Sequence, residues 1–171
     1  MKRLVVFLLI VLNYHSTAHS QIFIPDSLIK SNKITFKVDE QSVYNLNNKL
    51  HGKKQKTDID PRLIFVNIVK GTILTSFTQT FTDARLKELT KERGIVLILD
   101  ITPDGKVAEV EFRLLNKNTL LSAIEIENLE INLKKNVSFK LDSALTKDGV
   151  FFGQSIFVTY QGILERNMPE F

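Results

Sequence analysis

The most regular alternation of apolar and polar residues runs from Ile95 to Leu114 and is interrupted at Asp104-Gly105. If Asp104 and Gly105 form a two-residue loop, one face of the resulting hairpin carries only apolar side chains. That face comprises Ile95, Leu97, Leu99, Ile101, Ala108, Val110, Phe112 and Leu114. The pairs that this register predicts are Leu99 with Val110, Leu97 with Phe112 and Ile95 with Leu114. The other face is mixed, so the pattern predicts a hairpin buried on one side and partly covered on the other.

The same segment also has the spacing of a calcium-binding EF-hand loop. The residues at loop positions 1, 3, 5, 6 and 12 are Asp100, Thr102, Asp104, Gly105 and Glu111. An EF-hand needs a helix leading into the loop, and Gly94 followed by β-branched Ile95 and Val96 is a poor helix end. We therefore interpret the segment as a hairpin and predict no metal site.

Two helices are predicted on either side of this hairpin. The segment 80–93 lacks glycine and proline, has apolar residues near helical spacing and ends before Gly94. The second helix runs from Ser122 to Asn136, because Ser122 and Glu125 have the spacing of a capping box. Its glutamates, Glu125, Glu127 and Glu130, are interpreted as an exposed face that is partly stabilised by the helix dipole.

The remaining strands are predicted from shorter patterns. Lys33–Val38 and Arg62–Val69 are rich in strand-forming residues, and Val150–Ile163 is expected to be a long final strand with bends at Gly153 and Gly162. Between the first two, the stretch Lys49–Lys56 is polar and basic, and we expect an exposed loop there.

The predicted fold class is thus α+β. An antiparallel sheet with two helices in helix-hairpin-helix-strand order is preceded by a β-rich N-terminal segment. We expect a single domain over residues 21–171, with the β-rich segment at 21–72 and the regular unit at 80–163. Whether the N-terminal segment forms an extra layer on the sheet or a separate arm stays open at this point.

The first 20 residues have the features of a secretory signal peptide. Met1-Lys2-Arg3 is basic, Leu4–Leu12 is apolar, and Ala18-His19-Ser20 is a small-x-small site, so cleavage is expected between Ser20 and Gln21. The alternative is an uncleaved interfacial anchor. We predict an exported protein, periplasmic or secreted, with no stable membrane insertion of the mature chain.

Composition excludes several classes of function. The chain has no cysteine, and its three histidines reduce to His51 once the signal peptide is removed. Without Lys2 and Arg3, 21 basic residues face 19 acidic ones, which is too near neutral for a nucleic-acid partner. No phosphate-binding, nucleophile-elbow or zinc motif is present, so no cofactor and no catalytic residue is predicted. A hydrolase using carboxylates such as Asp58 and Asp60 is the less favoured alternative.

The segment GIVLILDITPDGKVAEVEF, followed by a helix and VSFKL, resembles the C-terminal domain of the TonB energy transducer and its relatives. The resemblance covers about residues 81–162. This chain lacks the transducer's proline-rich spacer and the family's tryptophan after the second helix, and Phe81-Thr82 falls where the family has Tyr-Pro. The resemblance therefore implies a soluble exported relative that does not transmit force from the inner membrane.

The resemblance also implies a way of binding, in which the last strand of the sheet accepts an extended peptide from a partner. Carried over, that edge is Ile156, Phe157, Val158, Thr159 and Tyr160. The alternative is that this strand is interior and covered by the segment 62–69. The sequence thus predicts a non-catalytic envelope protein with a protein or peptide partner, and a self-assembling structural component is the second possibility.

Overall fold

The fold is built on a six-stranded antiparallel sheet with helices packed on one face, and the predicted α+β class is confirmed. A computed structural model describes residues 21–51, 65–68, 70–116, 118–141 and 151–167. The strands are β1 (Gln21–Ile22), β2 (Leu28–Lys30), β3 (Thr35–Asp39), β4 (Ser42–Asn45), β5 (Phe65–Ile68), β6 (Ile95–Ile101), β7 (Val107–Leu114), β8 (Asn118–Thr119), β9 (Phe139–Leu141) and β10 (Phe152–Val158). The helices are α1 (Lys70–Thr80), α2 (Asp83–Leu89), α3 (Ala123–Asn136) and α4 (Tyr160–Leu164).

The order of strands in the main sheet is β10-β6-β7-β4-β3-β2. Two short antiparallel pairs, β1 with β8 and β5 with β9, lie beside it. The N-terminal segment is therefore neither an extra layer nor a separate arm, since it adds three strands to the same sheet through the pairing of β4 with β7. Strand β5, the centre of the predicted run 62–69, pairs with β9 and does not cover β10.

The hairpin of β6 and β7 has the predicted register for Ile95 with Leu114, Leu97 with Phe112 and Leu99 with Val110. The predicted two-residue loop is wrong, because a register shift after Asp100 pairs Ile101 with Val107 and leaves Ala108 off the buried face. The turn is longer as a result. Gly105 has a positive φ of 82°, and a Cβ there would lie 2.0 Å from the carbonyl oxygen of Phe139, so strand β9 fixes the shape of this turn.

The inner face of the sheet and the helices share one apolar core. Helix α3 packs against both α1 and β7, and α2 packs against α4. The predicted buried stripe of α3, Ile126, Leu129 and Leu133, is completely buried. The Ser122 hydroxyl and the Glu125 side chain form the predicted capping box at its start. None of the helices in the described ranges combines the length and the apolar character that a membrane span requires.

The number of helices is a correction to the prediction of two. Helix α1 was missed, because its sequence KGTILTSFTQT is rich in threonine, which has low helix propensity. Burial of Ile73 and Phe77 against the core overrides that propensity. Thr82 then starts α2 as its N-cap, accepting a hydrogen bond from the backbone of Arg85, which explains why the predicted helix 80–93 is split and shortened.

The predicted final strand 150–163 is also wrong at its end. Strand β10 stops at Val158, and the Thr159 side chain accepts a hydrogen bond from the backbone of Gly162 as the N-cap of α4. Gly153 pairs in unbroken register with Asp100, so it makes no bulge. Gly162 lies inside α4. The Thr159 hydroxyl caps the start of this helix, so the chain continues as a helix and not as the expected strand.

Candidate functional site

The strand that the sequence analysis singled out, β10, lies at one end of the six-stranded sheet. All seven of its residues pair with β6 on one side, from Phe152 opposite Ile101 to Val158 opposite Ile95. On its other side, no strand within the described residues pairs with it. In an antiparallel ladder every second residue directs its N–H and C=O away from its neighbour, so β10 presents outward-directed backbone groups between Gly153 and Val158. One backbone acceptor is already engaged, since the Ser155 carbonyl accepts a hydrogen bond from Gln154 Nε2 at 3.2 Å.

The five predicted edge residues have different positions in the structure. Ile156 and Val158 point into the core, whereas Phe157 lies on the outer face and is 38% exposed. Thr159 and Tyr160 are not part of the strand, because they cap and begin α4. Tyr160 is only 1% exposed, so its side chain cannot contact an added strand, and burial raises the pKa of its hydroxyl.

The prediction also missed the first half of the edge. Phe152, Gly153, Gln154 and Ser155 belong to the same strand as Phe157. The sequence FGQSIFV does not alternate cleanly, because Gln154 on the inner side is polar and Phe157 on the outer side is apolar, so no polarity pattern marks this half of the strand.

Three rows of side chains cross the outer face of the sheet, starting at β10. The first row is Gly153, Asp100 and Glu109; the second is Ser155, Ile98, Glu111, Tyr44 and Lys37; the third is Phe157, Val96, Arg113 and Ser42. The side chains nearest β10 in the second and third rows are apolar or small. The outer face is therefore apolar beside Phe157 and acidic beside Gly153.

The centre of this face is a hydrogen-bonded cluster around Glu111. The Ser42 hydroxyl donates to Glu111 Oε1 at 2.6 Å, and His51 Nδ1 lies 2.9 Å from Glu111 Oε2. The His51 ring stacks on Tyr44 with ring centroids 3.6 Å apart and an interplanar angle of 15°. This contact buries Tyr44 and holds the end of the 46–51 segment against the sheet. His51 was expected in an exposed basic loop and is instead partly buried; residues 52–56 of that stretch lie outside the described part of the chain.

Asp100 and Glu109 are direct neighbours in the first row, and they differ in their partners. Glu109 accepts from Lys134 Nζ of helix α3 at 2.9 Å. The Asp100 carboxyl forms no hydrogen bond or ion pair with the described residues. Burial raises the pKa of the Asp100 carboxyl, and the negative charges of Glu109 and Glu111 raise it further, whereas His51 opposes this effect.

The glutamates of α3 are not the exposed face that the sequence predicted. Glu125 caps the helix and pairs with Arg85 at 2.7 Å, while Glu127 and Glu130 are 3% and 1% exposed. Each has a separate structural partner, so the three carboxylates do not converge. The other two carboxylates considered for a hydrolase, Asp58 and Asp60, lie outside the described residues, as does the predicted signal peptide.

Comparison with known proteins identifies a shared fold. No family model matches the chain, and no curated protein matches it. The crystal structure of a DUF5043 family protein from Bacteroides uniformis ATCC 8492 is similar, with a TM-score of 0.60 and 19% sequence identity. The match covers 81% of this chain and 87% of that one. At this identity the likeness shows that the two proteins share a similar fold.

Proposed function

We propose that this chain is an exported, non-catalytic binding protein of the cell envelope that accepts an extended segment of a partner protein as an added strand beside β10. The observation that carries the proposal is the position of β10 at the end of the sheet, with no strand on its other side among the described residues. The resemblance of residues 81–162 to TonB C-terminal domains supports this way of binding, and the pattern of residues 1–20 supports export.

The composition of β10 strengthens the argument. Natural edge strands are protected from unwanted pairing by shortness, lysine, proline or a bulge. The opposite edge strand, β2, has three residues and contains Lys30. Strand β10 has the sequence FGQSIFV over seven residues, with no charge, no proline and no shift in register. A long unprotected edge is typical of a strand that is paired when the protein works.

The energy available to such a partner comes first from the backbone. About half of the seven residues direct a donor and an acceptor outward, and each hydrogen bond contributes roughly 0.5–1.5 kcal/mol. Association costs at least about 4 kcal/mol, so the backbone alone gives weak binding. Side-chain contacts on the outer face must supply the rest, and with it the choice of partner.

The experiment that tests the edge uses two adjacent proline variants, Gln154→Pro and Ser155→Pro. Because donors alternate along a strand, one variant removes a hydrogen bond to β6 and the other removes a donor of the free edge. We expect one variant to unfold at clearly lower temperature and the other to stay close to the parent. If both are equally destabilised, the edge is not free and the proposal fails.

The stable variant then serves as the control for function. We expect affinity capture from an envelope extract to recover a partner with the parent protein and to lose it with the stable proline variant. Amide exchange should slow in residues 152–158 when the partner is bound. Recovery of the same partner by both proteins would contradict strand addition at β10. If instead the mass of the pure protein rises with concentration and the stable proline variant stays monomeric, the occupant is a second copy and the self-assembling alternative holds.

A further inference from the structure

The outer face beside β10 has a gap where the strand carries no side chain. Gly153 is exposed, and a Cβ built on it would have no atom within 4 Å. Directly opposite Gly153 on β6 is Asp100, whose side chain points to the same outer face. Nothing on β10 therefore separates Asp100 from a strand added at the free edge.

Of the three acidic groups in the two rows that begin at Gly153 and Ser155, Asp100 is the one whose carboxyl forms no ion pair or hydrogen bond with the described residues. Glu109 is paired with Lys134, and Glu111 is bound by His51 and the Ser42 hydroxyl. Asp100 is half-buried between these elements without a cation of its own. A half-buried carboxylate of this kind gains from a cationic partner, because its own water shell is already reduced.

The distance from a partner strand to Asp100 suits a long basic side chain. Neighbouring strands lie about 4.8 Å apart, so a residue beside Gly153 is roughly 10 Å from the Asp100 backbone. The three or four methylene groups of arginine or lysine can lie flat along the bare Gly153 backbone with the charged end at the carboxylate. A shorter polar side chain would not reach.

We propose that the strand accepted by β10 carries a lysine or arginine whose side chain crosses Gly153 and pairs with Asp100. This inference rests on the proposed strand addition, and it defines the chemistry of the partner. Phe157, four residues further along the same face and partly exposed, favours an apolar residue of the partner beside it. Every pair of neighbouring strands in the sheet is antiparallel. In an antiparallel partner the apolar residue precedes the basic residue by four positions.

A displayed library of random peptides of about ten residues, the length of a long strand, tests this chemistry with the purified protein as target. We expect selected peptides to contain an apolar residue followed four positions later by lysine or arginine. A synthetic peptide from the selection should bind Asp100→Asn about tenfold more weakly than the parent, as expected for loss of a partly desolvated ion pair. Its affinity for the parent should fall as salt is added, and this dependence should weaken in the variant.

Gly153→Val provides the second variant. Valine favours a strand, and its side chain enters open space, so the protein should be at least as stable as the parent. The added methyl groups block the path across the strand, and we expect peptide binding to weaken by about the same tenfold factor. A charge exchange completes the set, since Asp100→Lys should recover binding of the peptide in which the basic residue is replaced by glutamate.

The outcomes separate this inference from the proposed function. If selected peptides lose binding to the stable proline variant but bind Asp100→Asn and Gly153→Val unchanged, strand addition stands and the basic partner residue is wrong. If the proline variant binds them as well as the parent does, or no peptide is selected, both proposals are overturned. Both proposals are supported if the proline variant loses binding, if Asp100→Asn and Gly153→Val each weaken it about tenfold, and if Asp100→Lys binds the glutamate peptide.

Discussion

Helix α3 has two buried carboxylates only three residues apart, Glu127 and Glu130, and their hydrogen-bond partners are of different kinds. Glu127 Oε2 accepts a hydrogen bond from the backbone N–H of Lys33, in the turn between β2 and β3, at 3.0 Å. Glu130 is bound by Lys134 Nζ at 2.7 Å, and its second oxygen has no hydrogen-bond partner within the described residues. One contact is to neutral backbone and the other to a charged side chain.

The two pKa values show what this difference means. Burial works against the charged form of Glu127, yet the donors of the turn between β2 and β3, first the Lys33 backbone N–H and then the Ser31 side chain, outweigh burial and lower its pKa. For Glu130 burial is the larger effect, and its pKa is raised although Lys134 opposes this. The donors of this turn thus stabilise the buried carboxylate of Glu127 better than a lysine shared with Glu109 stabilises that of Glu130.

The change with the largest expected effect is Glu127→Ala. It removes the acceptor of the Lys33 N–H and the side chain that fills this buried position on α3, which together should cost about 3 kcal/mol. Urea denaturation measures this loss, and Asn128→Ala, an exposed neighbour on the same helix, is the control that should change stability by less than about 0.5 kcal/mol. Equal effects of the two substitutions would show that the contact with the turn does not stabilise the protein.

The next largest effect is expected for Lys134→Met at neutral pH. Methionine keeps most of the apolar stem but leaves Glu130 and Glu109 without their cation, at a cost of about 2 kcal/mol. Lys135→Met, an exposed neighbour, is the matched control. The loss should shrink in acid, because protonation of Glu130 removes the charge that Lys134 balances. A loss of the same size at neutral and acidic pH would exclude this explanation.

The third test compares Glu127→Gln with Glu130→Gln across pH. A lowered pKa means that Glu127 contributes stability above its unfolded pKa, and that this contribution is lost as pH falls through the folded pKa. A raised pKa means that the Glu130 contribution is greatest below the unfolded pKa and is lost as pH rises through the folded pKa.

The two glutamine variants should therefore diverge from the parent in opposite directions. Glu127→Gln should be less stable than the parent by about 1 kcal/mol at neutral pH, and the difference should shrink on acidification. Glu130→Gln should change stability by less than about 1 kcal/mol, and it should improve relative to the parent as pH rises. If the stability difference from the parent changed with pH in the same direction for both variants, the pKa values of the two carboxylates would be shifted in the same direction.

Much of the fold could be predicted from local pattern. The hairpin register followed from strict alternation in Ile95–Leu114, and α3 followed from a capping box ahead of an apolar stripe. Helix α1 and the end of β10 could not be predicted, because tertiary burial of Ile73 and Phe77 overrides threonine propensity and a single Thr159 hydroxyl decides where β10 ends. The turn that follows the shift at Asp100 is in contact with a residue far away in sequence, since the Phe139 backbone N–H donates to the Gly105 carbonyl at 2.7 Å.

The candidate site was predictable only in part. Ile156 to Val158 belong to β10, which ends the sheet within the described residues, but which strand ends a sheet depends on long-range pairing that no local pattern contains. The open space at Gly153 and the missing cation of Asp100 likewise depend on elements brought together from distant parts of the chain. For the same reason, the burial of Glu127 and Glu130 could not be predicted from a helix that looks amphipathic with charged ends.

The smallest expected effect is that of Lys33→Ala, which tests whether the Lys33 side chain contributes to the contact with Glu127. A pairing of Glu127 with Lys33 would ordinarily be interpreted as a salt bridge, yet the donor is the backbone N–H, and the lysine side chain is exposed. Removing the ammonium group should therefore cost less than about 0.5 kcal/mol and leave the salt dependence of stability unchanged. Urea denaturation of the variant at low and high salt measures both quantities. A loss of stability that approaches that of Glu127→Ala and is reduced by added salt would show that a charge pair holds the turn to α3. Glu127 and Glu130 would then differ only in degree, because both would depend on a lysine.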